Sequence, residues 1–231
     1  MSIIIVLLLS YGAFRTATVQ TYVTQKIAGY YADEWNTAVS IGGVDIDFFT
    51  TIILENLYIE DLHGDTLIYS EFIKVDLGEI SSEEKNLRLR KVTFKGTHFN
   101  LVKYEGEDFM NLKFLTDAFA SDDSSSGNWI ISIDKIHLLN SHFRWQNQNR
   151  IWMREGINFQ DLDIREINGD IHDMSVANDT IHASILLLSC IEQSGFELRK
   201  LNSRVKVSST GMDMESLQIK TLSSSVNGTL S

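Results

Sequence analysis

Proline is missing from all 231 residues, and cysteine occurs once, at Cys190. Without proline, no strand loses a backbone donor, so long and continuously hydrogen-bonded strands are permitted throughout. A single cysteine excludes an internal disulfide, and its setting in "LLLSCIE" suits a buried thiol better than a nucleophile. The chain has no run of Lys or Arg, and its formal net charge is −11. That argues against nucleic acid, whose binding rests on neutralised phosphates, and against a polybasic grip on anionic lipid. Catalytic signatures are lacking as well: there is no GxSxG elbow, no P-loop and no GxGxxG. The six histidines, His63, His98, His137, His142, His172 and His182, form no HxxxH or HxH pair and have no Cys partner for zinc. The expectation is therefore no enzyme, and no catalytic, cofactor-binding or metal residues.

What the chain does have is apolar material, 43% of its residues against 22% charged, ample for a core. Ile3 to Phe14, "IIIVLLLSYGAF", is uncharged and strongly apolar, though shorter than the ~20 residues a spanning helix needs. It reads as a signal h-region or as the start of an uncleaved anchor, so residues 1–15 are expected to be a membrane anchor or signal segment. Arg15 and Lys26 follow the apolar run, and charge bias leaves the orientation open. Val19, Val23, Ile27 and Tyr30 are spaced by four, four and three, which predicts an amphipathic helix over 16–35.

From residue 36 the period drops to two and largely stays there. A first β lobe is expected over 36–119, ending in a short helix at Asp108 to Phe119. "SDDSSSG" then predicts a flexible linker over 120–128, followed by a second β lobe over 129–231. One spacing recurs through both lobes, with apolar residues at relative positions 0, 2, 5 and 7. It appears as Val39, Ile41, Val44, Ile46; as Ile52, Leu54, Leu57, Ile59; and as Leu87, Leu89, Val92, Phe94. It returns as Ile131, Ile133, Ile136, Leu138; as Ile157, Phe159, Leu162, Ile164; and as Met212, Met214, Leu217, Ile219, with partial copies at Ile171, Met174, Val176 and at Phe196, Leu198, Leu201.

A helix would split these four positions onto opposite faces. A plain strand would flip the second pair at the step of three. One extra residue at that step, a β-bulge, keeps the apolar set together. The spacing thus predicts a mainly β fold: a curved, bulged, antiparallel-type sheet with one apolar face. Such a face must be covered or used. Folded over, it forms an apolar groove; covered by a second sheet, it becomes a pair of β-sandwich lobes, and the spacing fits both. A leucine-rich solenoid fits poorly, because the motif's Asn is missing and the copies recur at uneven intervals. The candidate groove residues are Leu89, Val92, Phe94, Ile133, Ile136, Leu138, Phe159, Leu162, Ile164, Leu217 and Ile219.

The densest cluster of ionisable groups is "EDLHGDTL", where Glu60, Asp61, His63 and Asp65 surround Gly64. It follows one strand and precedes another. Gly64 permits a positive φ, and Asp61 and Asp65 can bond nearby amides as Asx turns do, so the expected role is connection and not catalysis. Gly42–Gly43 falls where a bulge is predicted. Asn178 and Asn227 match a glycosylation sequon that often arises by chance.

"VQTYVTQKIAGYYADEWNTAVSIGGVDIDFF" followed by "LENLYIEDLHGDTLIYSEFIKVDLG" resembles the N-terminal part of the TamB proteins of the Bacteroidota, within the AsmA-like group. "VTFKGTHFNLVKY", "GINFQDLDI", "SGFELRKL" and "LQIKT" extend the resemblance over nearly the whole chain after its apolar start. The resemblance implies a single-pass anchor in the inner membrane of a Gram-negative cell, with the bulk in the periplasm. It implies a long sheet folded into an apolar groove, and a second lobe that continues beyond residue 231. It also implies a role in outer-membrane biogenesis, as assembly factor or phospholipid transporter, with phospholipid acyl chains and an outer-membrane barrel protein of the TamA/BamA type as partners. No catalytic residues come with it. The alternative is a non-catalytic β-sandwich module of the cell envelope that binds other proteins.

Overall fold

The computed structural model describes residues 17–47, 50–81, 83–119, 130–150, 156–177, 180–208 and 211–230. A helix, α1 (Ala17–Trp35), leads into four strands, β1 (Val39–Asp47), β2 (Thr51–Glu60), β3 (Thr66–Ser81) and β4 (Asn86–Lys103). A short helix, α2 (Lys113–Phe119), precedes six more: β5 (Ile130–Asn147), β6 (Asp161–Ala177), β7 (Thr180–Glu192), β8 (Glu197–Ser208), β9 (Gly211–Thr221) and β10 (Ser225–Leu230). The expected apolar segment over 1–15 and the expected linker over 120–128 lie outside the described residues. No helix among the described residues is long and apolar enough to cross a membrane.

All ten strands form one sheet in strict sequence order, β1 to β10, and the sheet does not close. Among the described residues each strand contacts only its sequence neighbours, apart from α1 against β1 and α1 against α2. The alternative of paired sandwich lobes is corrected here: the described parts of 36–119 and 129–231 are the two halves of a single sheet. The sheet is mostly antiparallel, as the spacing predicts, and β4 with β5, which join the halves, is its parallel pair. Parallel neighbours need a crossover, and the segment between β4 and β5 supplies it. Within that segment the helix is shorter than expected, Lys113–Phe119 in place of a start at Asp108, because 104–112 is drawn into turns.

The register explains how the sheet keeps one apolar face. In β1/β2 the pairing steps from Ile41↔Leu57 to Gly43↔Glu55, leaving Gly42 and Asn56 out. In β2/β3 it steps from Glu55↔Phe72 to Leu57↔Ser70, leaving Asn56 and Glu71 out. In β3/β4 Glu71 and Gly96 are left out, and in β4/β5 the pairs Lys95↔Leu139 and His98↔His142 set Gly96 level with Asn140. Three of these residues take left-handed backbone, Asn56 at φ 51°, Gly96 at 57° and Asn140 at 47°. The interruptions therefore form one line across five strands, a crease that bends each strand at the same height. Asp173 (φ 50°) and Ser216 (φ 52°) interrupt β6 and β9 in the same manner, inside the steps of three at 171–174 and 214–217.

The helix α1 covers the outer edge of β1. Thr21 Oγ1 accepts from the Val44 amide at 2.9 Å and donates to the Val44 carbonyl at 3.2 Å, and Gln25 Nε2 donates to the Ile41 carbonyl. The inward side of α1 carries Thr21, Thr24, Ala28 and Ala32, small residues that allow close approach. Of the expected stripe, Tyr30 is 64% exposed, and the side chains of Val19, Val23 and Ile27 lie outside the described residues.

Candidate functional site

The strand pairs carry one row of residues across the whole sheet. From β1 to β10 it reads Val44, Leu54, Ile73, Phe94, Leu138, Gly169, Leu188, Leu201, Ile219 and Val226, each paired with the next. A second row runs beside it on the same face, as Ile46, Ile52, Val75, Val92, Ile136, Ile171 and Ile185. Further along the strands, Leu89 pairs with Ile133 and Ile133 with Met174. On the far side of the crease, Phe99 pairs with Phe143 and Phe143 with Ile164, while Trp145 pairs with Leu162. The opposite face is mostly polar along its centre, where Asp45, Lys74, Thr93, His137 and Asp170 stand in line with one apolar residue, Ile53.

Ten of the eleven candidate groove residues therefore lie on strands and on this apolar face. Val92, Ile136 and Leu217 are buried, and the other seven are half-buried. Phe159 is the exception. It sits in the turn before β6, held by the Gln160 amide donating to Asn158 Oδ1, and is 68% exposed. Its spacing matched the pattern only because a turn and a bulge shift the count alike. Only eight apolar side chains among the described residues are buried, so most of the apolar face is not sealed by packing among them.

Residues that the spacing rule passed over complete the site at the crease. Ser70, Thr97 and Ser141 stand where apolar residues stand elsewhere in the pattern, as in Ile68, Ser70, Ile73, Val75. Ser70 Oγ and Thr97 Oγ1 are 2.6 Å apart. Thr97 and Ser141 line a pocket of about 330 Å³ together with Ile68, Phe94, Phe99, Leu138, Phe143 and Ile167. The signal was present in the sequence, since Val92, Phe94, Thr97, Phe99 and Ile136, Leu138, Ser141, Phe143 repeat the spacing with a hydroxyl residue at the third place.

Around Asp61 the structure has a turn of unusual connectivity. Asp61 is 1% exposed. Its Oδ1 accepts from the His63 and Asp65 amides at 2.9 and 3.0 Å, and its Oδ2 accepts from Tyr104 Oη and Asn111 Nδ2, both at 2.8 Å. The His63 ring stacks on Tyr104 at 3.7 Å, and its Nε2 lies 3.1 Å from Glu107. Burial, then the bonds to Asp61 and Asp65, push the Tyr104 hydroxyl far above its usual value, so it remains a proton donor. This wiring ties the β2–β3 turn to the segment after β4. Among the described residues, no three His, Cys, Asp or Glu side chains converge in a metal-ligating arrangement.

On the polar face, His98 and His142 meet at the parallel seam with rings 5.0 Å apart. His142 Nε2 lies 2.9 Å from Asp163 Oδ1, and Arg165 donates to both oxygens of the same carboxylate. Burial pushes the Cys190 thiol up, which keeps it protonated and a poor nucleophile. No protein-family model matches the chain, and no curated protein matches it.

Proposed function

We propose that this chain is an inner-membrane-anchored periplasmic module of an outer-membrane assembly or phospholipid transport protein, carrying acyl chains passively along its apolar face. The observation that carries this reading is the unbroken row from Val44 to Val226, one residue per strand over ten strands. A face of that length needs either a second layer or a guest, and the described residues supply no second layer. The crease lets such a sheet fold over into a groove. An alkyl chain lying in it gains about 25 cal/mol per Å² of apolar surface removed from water, while a head group stays at the wet rim. No reaction is needed; movement follows occupancy along the row. The outer-membrane barrel partner and the membrane anchor belong to the same proposal and rest on the resemblance.

A photo-crosslinking residue at Ile133 or Leu162 is expected to capture phospholipid in cells, and one at Arg88 or Lys95, on the other face, is not. Capture confined to Arg88 and Lys95 sinks the reading. The rival, a protein-binding module without lipid, predicts that the purified chain brings no phospholipid through chromatography.

A further inference from the structure

At the rim of the parallel seam the apolar face ends in charge. The pairs Phe99↔Phe143, Leu101↔Trp145 and Lys103↔Asn147 follow one another along β4 and β5. Residues two apart on a strand share a face, so Lys103 and Asn147 stand directly past the aromatic pairs. With Arg150, Glu107 and Asp108 they line a pocket of about 370 Å³. Among the described residues neither Lys103 nor Arg150 is paired with a carboxylate. The two walls of the pocket are tied together. The Asn149 carboxamide donates to the Tyr104 and Glu107 carbonyls at 2.9 and 3.1 Å and accepts from the Gly106 amide at 2.7 Å. The Gln148 amide donates to the Lys103 carbonyl at 2.9 Å, and the Arg150 amide to the Asn147 carbonyl at 3.3 Å. The backbone that carries both cations is therefore fixed before a guest arrives.

Two cations facing two carboxylates leave this pocket near neutral, within a chain of net charge −11. That background repels a simple anion, but not a phosphate that carries its own ammonium. Lys103 and Arg150 offer charge-assisted donors to phosphate oxygens. A primary ammonium has three N–H donors to direct at Asp108, whereas a quaternary amine has none. We propose that the pocket holds the head group of a phosphatidylethanolamine-type lipid: Lys103 and Arg150 take the phosphodiester, Asp108 takes the ammonium, and the acyl chains run over Leu101 and Trp145 onto Phe99 and Phe143. This rests on the acyl-chain reading above and adds to it a head-group class and a fixed place on the rim.

The test uses the full chain and vesicles of phosphatidylethanolamine, phosphatidylcholine and phosphatidylglycerol in equal parts. After the vesicles are removed, mass spectrometry of the wild type should find phosphatidylethanolamine enriched over both others. The double change Lys103→Gln with Arg150→Gln should lower that lipid roughly threefold to tenfold, the range for charge contacts open to solvent, and should melt with the wild type. Lys103→Arg, which keeps the charge, should retain lipid as the wild type does. Asp108→Asn should remove the preference over phosphatidylcholine while leaving total lipid unchanged. Phosphorus NMR of the bound lipid should move in the double variant and return toward the wild-type position in Lys103→Arg. Inorganic phosphate and free phosphoethanolamine should compete weakly; displacement of the lipid by either at equal concentration would make this a soluble phosphate-ester site and overturn the lipid assignment. If the wild type retains the three lipids in equal parts and the double variant retains as much, the head-group site is wrong and the acyl-chain path stands. If the wild type retains no lipid, both fail.

Discussion

Gly96 of β4 lies directly against Glu71 of β3: a Cβ placed on Gly96 would stand 2.6 Å from Glu71 Cδ. The same residue has φ 57°, a conformation that costs any other residue about 1–2 kcal/mol. Gly96→Ala therefore carries that backbone penalty, while the Glu71 side chain, 52% exposed, can swing away from the new methyl. It should lower unfolding free energy by about 1–2 kcal/mol in urea titrations. Gly64, at φ 83°, has nothing within 4 Å of a built Cβ. Gly64→Ala should show the backbone penalty alone.

Asp61 and His63 separate structure from apparent chemistry. Asp61→Ala removes the side-chain acceptor of the His63 and Asp65 amides and one acceptor each of Tyr104 Oη and Asn111 Nδ2, which keep Asp65 and the Asn100 carbonyl, and should cost about 1–3 kcal/mol. His63 is 41% exposed in its side chain, so His63→Ala should cost less than about 1 kcal/mol. Elemental analysis of the purified chain should return the same metal content before and after His63→Ala.

Acid should weaken the sheet in two separate windows, both centred on the seam between β4 and β5. Burial, then neighbouring His142, holds the His98 ring below its usual value. The unfolded chain takes up that proton more readily, so stability falls as pH drops below about 6.5. At Asp163 burial raises the carboxyl, but the bonds from Arg165 and His142 outweigh it and hold the group below its usual value. Its contribution is present above about pH 4 and is lost as pH falls further. Urea midpoints measured across pH should lose the first slope in His98→Gln and the second in Asp163→Asn.

Thr21 guards the edge of β1. Thr21→Val keeps the shape of the side chain but leaves the amide and carbonyl of Val44 unpaired at a residue only 4% exposed. A loss of about 1–3 kcal/mol is expected. Light scattering on storage should rise as well, because an uncovered edge pairs with other chains.

Much of the strand architecture was legible because a period of two with a step of three leaves few physical solutions. Asn56, Asp173 and Ser216 sit within predicted steps and take left-handed backbone. The parallel pairing of β4 with β5 was not legible, since neither strand carries a local mark of its neighbour's direction and the crossover reads like any helix and loop. Phe159 misled because sequence spacing does not distinguish a turn from a bulge. Ser70, Thr97 and Ser141 escaped notice for the opposite reason: the rule counted apolar residues, and the crease substitutes hydroxyls. In α1 the bonding of Thr21 to Val44 was not legible, because a hydrophobicity pattern gives a threonine little weight.

The two margins of the sheet are unlike. At β1 a helix occupies the edge through Thr21, while β10 is exposed along all six of its residues and pairs only on its β9 side among the described strands. A strand laid beside β10 would place its own side chain next to Val226 and lengthen the row by one rung of about 4.8 Å. The length of the apolar row is thus graduated in whole strands, and under the proposed function each strand added at β10 would lengthen the path for a hydrocarbon tail by one such rung.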